Sequence, residues 1–287
     1  MTTLFTDQSG QHLLEEIRTI FQTKPIFRKR DKHIIFVCGG RKNRRRTMRR
    51  RFLDWSKTKF PAMVPILAED AFRPTDFYET PTGIDLARFE KIMGSIADGV
   101  VVFPESAGSY AEVGYFADRD ISEKILIANS LKHQVKDSFL NLGPIRRIDT
   151  ASFFRPAIQL RHRCLDFSPL KQRLERITRG NRRRRFEYKP FWQMDYKEKF
   201  LATLQLLSIL QPIDLEELNV CLKVVFGDIK TQQVGHIVGI LHAAGFIICD
   251  DDLFKMPPKI QPLLEIEGIE IGKIRLRVGF YYKKNRR

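Results

Sequence analysis

Two glutamates stand seven positions apart in the stretch FPESAGSYAEVGYFA, Phe103 to Ala117, directly after an apolar run. Glu105 opens a loop of small residues, and Glu112 falls in the first turn of the helix that follows. A carboxylate held rigidly at the end of a strand can act as a nucleophile or a base. Of the two, only Glu112 is held in that way. Ser109-Tyr-Ala-Glu112 is also an S-x-x-E capping box, in which Glu112 would merely satisfy a backbone N–H. Spacing alone leaves both readings open. The small residues Ala107, Gly108, Ser109, Ala111 and Gly114 make a tight strand-to-helix turn that lets backbone N–H groups approach a ligand. Asp70, at the end of another apolar run, can hold a ribose hydroxyl as acids do in dinucleotide-binding folds, or can cap a helix in EDAF. The histidines, His33, His133, His162, His236 and His242 among them, show no metal or triad spacing. The four cysteines (Cys38, Cys164, Cys221, Cys249) form no CxxC pair, which suits reduced thiols in a cytoplasmic protein.

These residues need a frame. HIIFVCGG, MVPILAED, GVVVFPES and KILIANS read as short apolar strands. Between them, a helix starting near Arg41 would align Met48, Phe52 and Trp55, and Phe89, Ile92, Met93 and Ile96 share a second helical face. An amphipathic helix over residues 12 to 21 precedes them. Apolar strands alternating with helices predict an α/β fold, a parallel flavodoxin- or Rossmann-like sheet covered on both faces. Ligands of such sheets sit beyond the carboxyl ends of the strands. Gly39–Gly40, Glu69–Asp70 and Phe103–Ser109 all end there.

The formal net charge of +16 is clustered: RKNRRRTMRRR (Arg41 to Arg51) holds eight basic residues in eleven, and RGNRRRR (Arg179 to Arg185) and KKNRR (Lys283 to Arg287) follow. Such runs serve solubility or grip nucleic acid phosphates, and the second reading names Arg44, Arg45, Arg46, Arg49, Arg50, Arg182, Arg183, Arg184 and Arg185. Cations at a helix N-terminus oppose the helix dipole. A substrate phosphate bound beside Gly39 and Gly40 would relieve that conflict, so Arg41 to Arg46 serve either a phosphorylated substrate or a nucleic acid. No run reaches membrane-span length, and MTTLFTDQSG lacks the layout of a signal peptide.

From about Ser168 the pattern changes. SPLKQRLERITRG reads as a connecting helix. Phe200, Leu201, Leu204 and Leu207 mark a helix ending near Gln211–Pro212, Asp214 and Glu217 a capping pair, and Val234, Ile237, Val238 and Leu241 a third helix. FIICDDDLFKM reads as two short strands around an acidic turn. This order is that of a winged helix-turn-helix, with Thr231, Gln232, Gln233 and His236 facing DNA; a small α/β interaction module is the other reading. Residues 1–165 are thus expected to form the sheet domain, 166–195 a basic connector and 196–287 the second, mainly helical domain.

The segment GSYAEVGYF after DGVVVFPES resembles the active-site segment of the nucleoside deoxyribosyltransferase superfamily. HIIFVCGG is similar to that family's first strand and glycine loop, and ARFEKIMGSIADGVVVF to its acidic helix and third strand. Residues 30 to 150 carry the likeness; the rest is similar in architecture, with FLNLGPIRR further on, to effectors encoded beside bacterial retrons. The resemblance implies that Glu112 is a nucleophile toward the anomeric carbon of a nucleoside, that Glu90 binds or protonates the base, and that Asp98 is structural. Family members usually carry a carboxylate six positions before the nucleophile. Ser106 stands there in this chain, so the sugar-orienting role passes to Ser106 and Ser109 or changes with the substrate. The implied protein is a toxic retron effector, an N-glycosidase using NAD or a related nucleotide as substrate and needing no cofactor. Its implied partners are the retron reverse transcriptase and its RNA-linked DNA, with self-association left open. A DNA-binding regulator that only senses a nucleotide, and a (deoxy)ribosyltransferase, are the alternatives.

Overall fold

The computed structural model describes residues 4–29, 31–40, 47–71, 86–118, 121–131, 138–161, 164–178 and 184–285. Among them, 31–70 and 86–178 make one compact unit, and 4–29 with 184–285 make another.

The first unit is built on five parallel strands: β1 (His33–Cys38), β2 (Met63–Ile66), β3 (Gly99–Val102), β4 (Ile125–Ser130) and β5 (Ile158–Leu160). They lie in the order β2-β1-β3-β4-β5, with Ile35 opposite Gly99 and Val100 opposite Ile125. That is the order of flavodoxin-like doubly wound sheets, whose switch point falls between the first and third strands. Its helices are α1 (Met48–Lys59), α2 (Leu86–Ile96), α3 (Ala107–Ala117), α4 (Arg146–Ala151) and α5 (Ser168–Leu174).

β1, β3 and β4 are buried along their whole length, as strands covered on both faces must be. Side chains alternate between the faces. Ile35, Val37, Val101 and Phe103 join Met48 and Phe52 of α1 and Phe167, Leu170 and Leu174 at α5 in one core cluster. On the other face Phe36 meets Phe116 of α3, ring centroids 6.3 Å apart. Phe167 to Leu174 are therefore core of the sheet unit, whereas the sequence pattern assigned 166–195 to a connector. Asp98 has the structural role expected of it: its carboxylate accepts from the Ile34 N–H (3.0 Å) and its own N–H donates to the Ile34 carbonyl (2.7 Å), fixing β3 beside β1.

The second unit joins both chain ends. The helix Gln8–Thr23, expected with the sheet, packs on the helix Leu215–Phe226, with Phe21 and Phe226 edge to face at 4.9 Å. Ile26–Arg28 is the centre of a three-stranded antiparallel sheet between Leu264–Ile266 and Arg185–Phe186. The helices Tyr196–Leu210, Leu215–Phe226 and Thr231–Ala243 follow one another, the first two opened by Asp195/Glu198 and Asp214/Glu217 capping boxes. The strands Ile248–Asp250 and Leu253–Lys255 then pair across Asp251 and Asp252, both at positive φ, a tight turn matching the twist of its strands. A last helix, Ile271–Asn285, is tied back to the start of the chain: Phe5 N–H donates to Tyr281 Oη (2.8 Å), which donates to Asp7 (2.6 Å). Among the described residues no helix is long and apolar enough to cross a membrane.

Candidate active site

Helices in a parallel sheet run against the strands, so the first turns of α1, α2 and α3 all lie at the carboxyl edge of the sheet. The sequence places one charged residue in or near each: Arg49 in α1, Glu90 in α2 and Glu112 in α3. Glu69, in the helical turn Ala68–Ala71 after β2, completes the group. Burial and the nearby carboxylates Glu112 and Glu69 raise the Glu90 carboxyl to about 7. Burial raises Glu112 to about 7 as well; the positive charge of Arg49 works against that rise and Glu69 adds to it. Cys38, wholly buried at the end of β1, feels Glu112, Glu90, Arg49 and Glu69, and its thiol is held well above its usual range, chiefly by burial. A thiol in such a setting is unreactive.

Glu112 is free of the capping role. α3 begins three residues earlier than the S-x-x-E spacing suggested, with Ser106 as N-cap and Ser109 closing the capping box. Glu112 therefore sits in the second turn, and its Oε2 is buried without a hydrogen-bond partner. The same shift commits both serines to structure. Ser109 is fully buried; its Oγ accepts from the N–H groups of Glu105 (3.0 Å) and Ser106 (2.9 Å) and donates to the Ser106 carbonyl (2.9 Å). Ser106 Oγ accepts from the Ser109 N–H (3.2 Å). Neither keeps the sugar-binding role expected of it. Gly114 lies inside α3 rather than in the turn, with open space where a Cβ would stand.

Glu105 is the residue that spacing undervalued. Its carboxylate accepts from the N–H groups of Gly40 (3.2 Å), Met48 (2.7 Å) and Arg49 (3.1 Å), binding the loop after β3 to the N-terminus of α1 across the switch point. α1 starts at Met48, with Thr47 as N-cap, not near Arg41. The anion cradle predicted for a substrate phosphate at Gly39 and Gly40 is thus filled by the protein's own carboxylate. Gly39 is needed for another reason: its φ is +153°, and a Cβ there would stand 3.1 Å from the Cβ atoms of Arg49 and Phe103. Glu105→Ala should strip the acceptor from three backbone donors and lower stability by about 1–3 kcal/mol. A lowered urea midpoint checks this, with Glu105→Gln losing less.

Arg49, expected on nucleic acid, is buried with a side chain 5% exposed, and its two terminal nitrogens bond the two carboxylate oxygens of Glu69. Arg50 lies on the surface of α1, paired with Asp54 (2.8 Å). Asp70 lies within the helical turn Ala68–Ala71, beside the Glu69 that makes this pair; it does not cap the turn. Arg44, Arg45 and Arg46, like Arg182 and Arg183, lie outside the described residues. Arg184 and Arg185 are exposed and, with Arg28 and Lys197, line a groove of the second unit that also contains Asp195 and Glu198. On the helix Thr231–Ala243, Gln232 is exposed, while Gln233 Oε1 accepts from Lys199 Nζ (3.3 Å). Among the described residues, no three His, Cys, Asp or Glu side chains are grouped to hold a metal ion.

A family model described as "STM3845 retron effector protein" matches residues 42–249, more than half of the chain and most of both units. The chain belongs to that retron effector family. It is also 30% identical over 124 residues to an Escherichia coli protein named "Retron Ec73 putative ribosyltransferase/DNA-binding protein", covering 42% of this chain and 39% of that one. To the E. coli "Retron Ec86 putative ribosyltransferase/DNA-binding protein" it is 30% identical over 148 residues, 51% of this chain and 46% of the relative. The retron effector thus spans less than half the length of either relative. Sequence reasoning missed Glu69 and the true place of Arg49; the one available signal was that Glu69, too, ends a strand.

Proposed function

We propose that the sheet unit of this retron effector is an N-glycosidase that cleaves the base–ribose bond of NAD or a related nucleotide, making the protein a toxin. The carrying observation is the pair of buried carboxylates at the carboxyl edge, Glu112 and Glu90, each raised to about 7. Near neutral pH such a pair holds one proton between two groups, the state that glycosidic cleavage needs. As the bond to the base breaks, a Glu112 oxygen closes on the anomeric carbon, whose character is oxocarbenium-like. The base leaves with the electron pair, and Glu90 can supply the proton that a neutral leaving base requires. Water then attacks the same carbon and restores Glu112. With Glu105 filling the cradle on α1, the substrate's phosphates must lie elsewhere than on that helix N-terminus.

The relatives' names favour a second outcome of the same chemistry, transfer of the ribosyl group to an acceptor other than water. Their names also mention DNA binding. In the second unit, three successive helices, a hairpin, exposed Gln232 and the Arg184–Arg185 groove support a winged-helix module that grips the retron's RNA-linked DNA. In this reading the reverse transcriptase and that nucleic acid restrain the toxin in the cytoplasm. The test is incubation of the chain, freed of partners, with NAD, nucleotides and nucleosides. Released base is the expected product, and a new glycosylated product identifies transfer. No product from any of them overturns the catalytic reading and leaves a DNA-binding regulator.

A further inference from the structure

Two buried polar atoms at this site lack partners, and they are complementary. Arg49 Nε carries one N–H, and Glu112 Oε2 is a carboxylate oxygen; both are inaccessible, and neither is hydrogen-bonded to the other or to anything else. The remainder of the Arg49 guanidinium is held on Glu69, and its backbone N–H on Glu105, so Nε is fixed in place from both ends. The Arg49 charge acts on Glu112, which puts the two groups in one neighbourhood at the end of β1. Leaving a buried donor and a buried acceptor unmatched is costly unless a ligand supplies what each lacks.

One group satisfies both with a single oxygen: a hydroxyl, which accepts from the Arg49 N–H and donates to the Glu112 carboxylate. We infer that the site is built for ribose, with Arg49 Nε and Glu112 Oε2 gripping the 2′-hydroxyl, and that Arg49 is a specificity-determining contact. The inference rests on the N-glycosidase reading for its orientation. With one Glu112 oxygen turned to the anomeric carbon, the other reaches the substituent on the adjacent carbon. Hydrogen bonds to that hydroxyl strengthen as the oxocarbenium-like state forms. Ser106, where the resembled family carries a carboxylate, is occupied as the N-cap of α3 and cannot supply this contact.

The experiment compares matched sugars on the full chain. Base release is measured from NAD and its analogue lacking the 2′-hydroxyl on the nicotinamide-bearing ribose, and from adenosine and 2′-deoxyadenosine. Binding is measured with formycin, whose sugar–base bond is a carbon–carbon bond that no glycosidase opens, and with its 2′-deoxy counterpart. The ribose forms should be favoured by roughly 10²-fold or more in kcat/KM, since a site made to hydrogen-bond a hydroxyl rejects the analogue without it. Formycin should bind about 10-fold tighter than its 2′-deoxy form. Arg49→Lys keeps the charge but not the Nε donor, and should narrow the ribose preference to within about 5-fold while slowing deoxyribose substrates far less. A merely structural role would lower both sugars alike. Equal handling of ribose and deoxyribose by the unaltered chain overturns the inference and leaves the glycosidase standing. A ribose preference in formycin binding without base release does the reverse. A preference undiminished in folded Arg49→Lys removes Arg49 from the role; the comparison of sugars on the unaltered chain needs no variant at all.

Discussion

Glu112→Gln should abolish base release, lowering kcat by roughly 10³-fold or more, because the amide cannot trap or stabilise the anomeric carbon as a carboxylate does. Chromatography of the released base after incubation with NAD and with nucleosides reads the effect directly. The change is nearly isosteric, and it removes an ionisable group from a buried position. Circular dichroism and the urea midpoint should therefore show a protein at least as stable as the unaltered chain. The capping role that S-x-x-E spacing allowed for Glu112 would predict something else, a frayed α3 and a less stable protein. Ser106 and Ser109 already carry the cap, so no such loss is expected. Toxicity in cells should vanish with the activity; full base release by folded Glu112→Gln would remove this residue from the mechanism.

The second large effect concerns Glu90 and pH. With both carboxylates raised to about 7, activity on a neutral nucleoside should follow a bell: it rises as the pair loses its first proton and falls as it loses the second. The apparent values belong to the pair. Glu90→Gln cannot give up a proton, so purine release should drop roughly 10²- to 10³-fold and the alkaline limb should disappear. Nicotinamide leaves NAD as a neutral base without needing a proton, so its release should fall much less. Stability carries an independent sign. A carboxyl whose folded value lies above its unfolded one favours folding most below about 4.5, and that advantage is lost as pH rises through 7. Glu90→Gln should thus match the unaltered chain near pH 4.5 and exceed it by about 1–2 kcal/mol at pH 8, read from urea unfolding at both values. A bell unchanged in the variant would assign the proton to another group.

The elements were largely legible in the sequence. The runs around Ile34, Val101 and Ile127 are apolar at every position, and a strand covered on both faces can have no other composition. The helices of the second unit announced themselves by Asp195/Glu198 and Asp214/Glu217 and by their 3.6-residue stripes, because capping and amphipathicity are local in the chain. The strand Ile158–Leu160 and the small sheet around Ile26–Arg28 were not legible. Three-residue strands are too short to show a period, and their partners lie far off in sequence. The last helix, Ile271–Asn285, was hidden by a basic composition in which only Ile274, Val278, Tyr281 and Tyr282 are buried.

The site divides in the same way. The sequence by itself determined that acids and glycines gather at the carboxyl ends of a parallel sheet, and that Glu112 and Glu90 stand on the helices beside it. Connection order in such a sheet brings loops after strands to one edge, whatever the side chains. Only the tertiary structure decided which polar groups are spent on the fold and which are left for chemistry. Glu105 looked equal to Glu112 until three backbone donors 56 to 65 residues away in sequence were found bonded to it. Arg49 looked like one arginine of a surface run until burial and Glu69 took it out of that run. A hydrogen bond across the switch point of a sheet joins residues that the chain keeps far apart, and no local pattern records it.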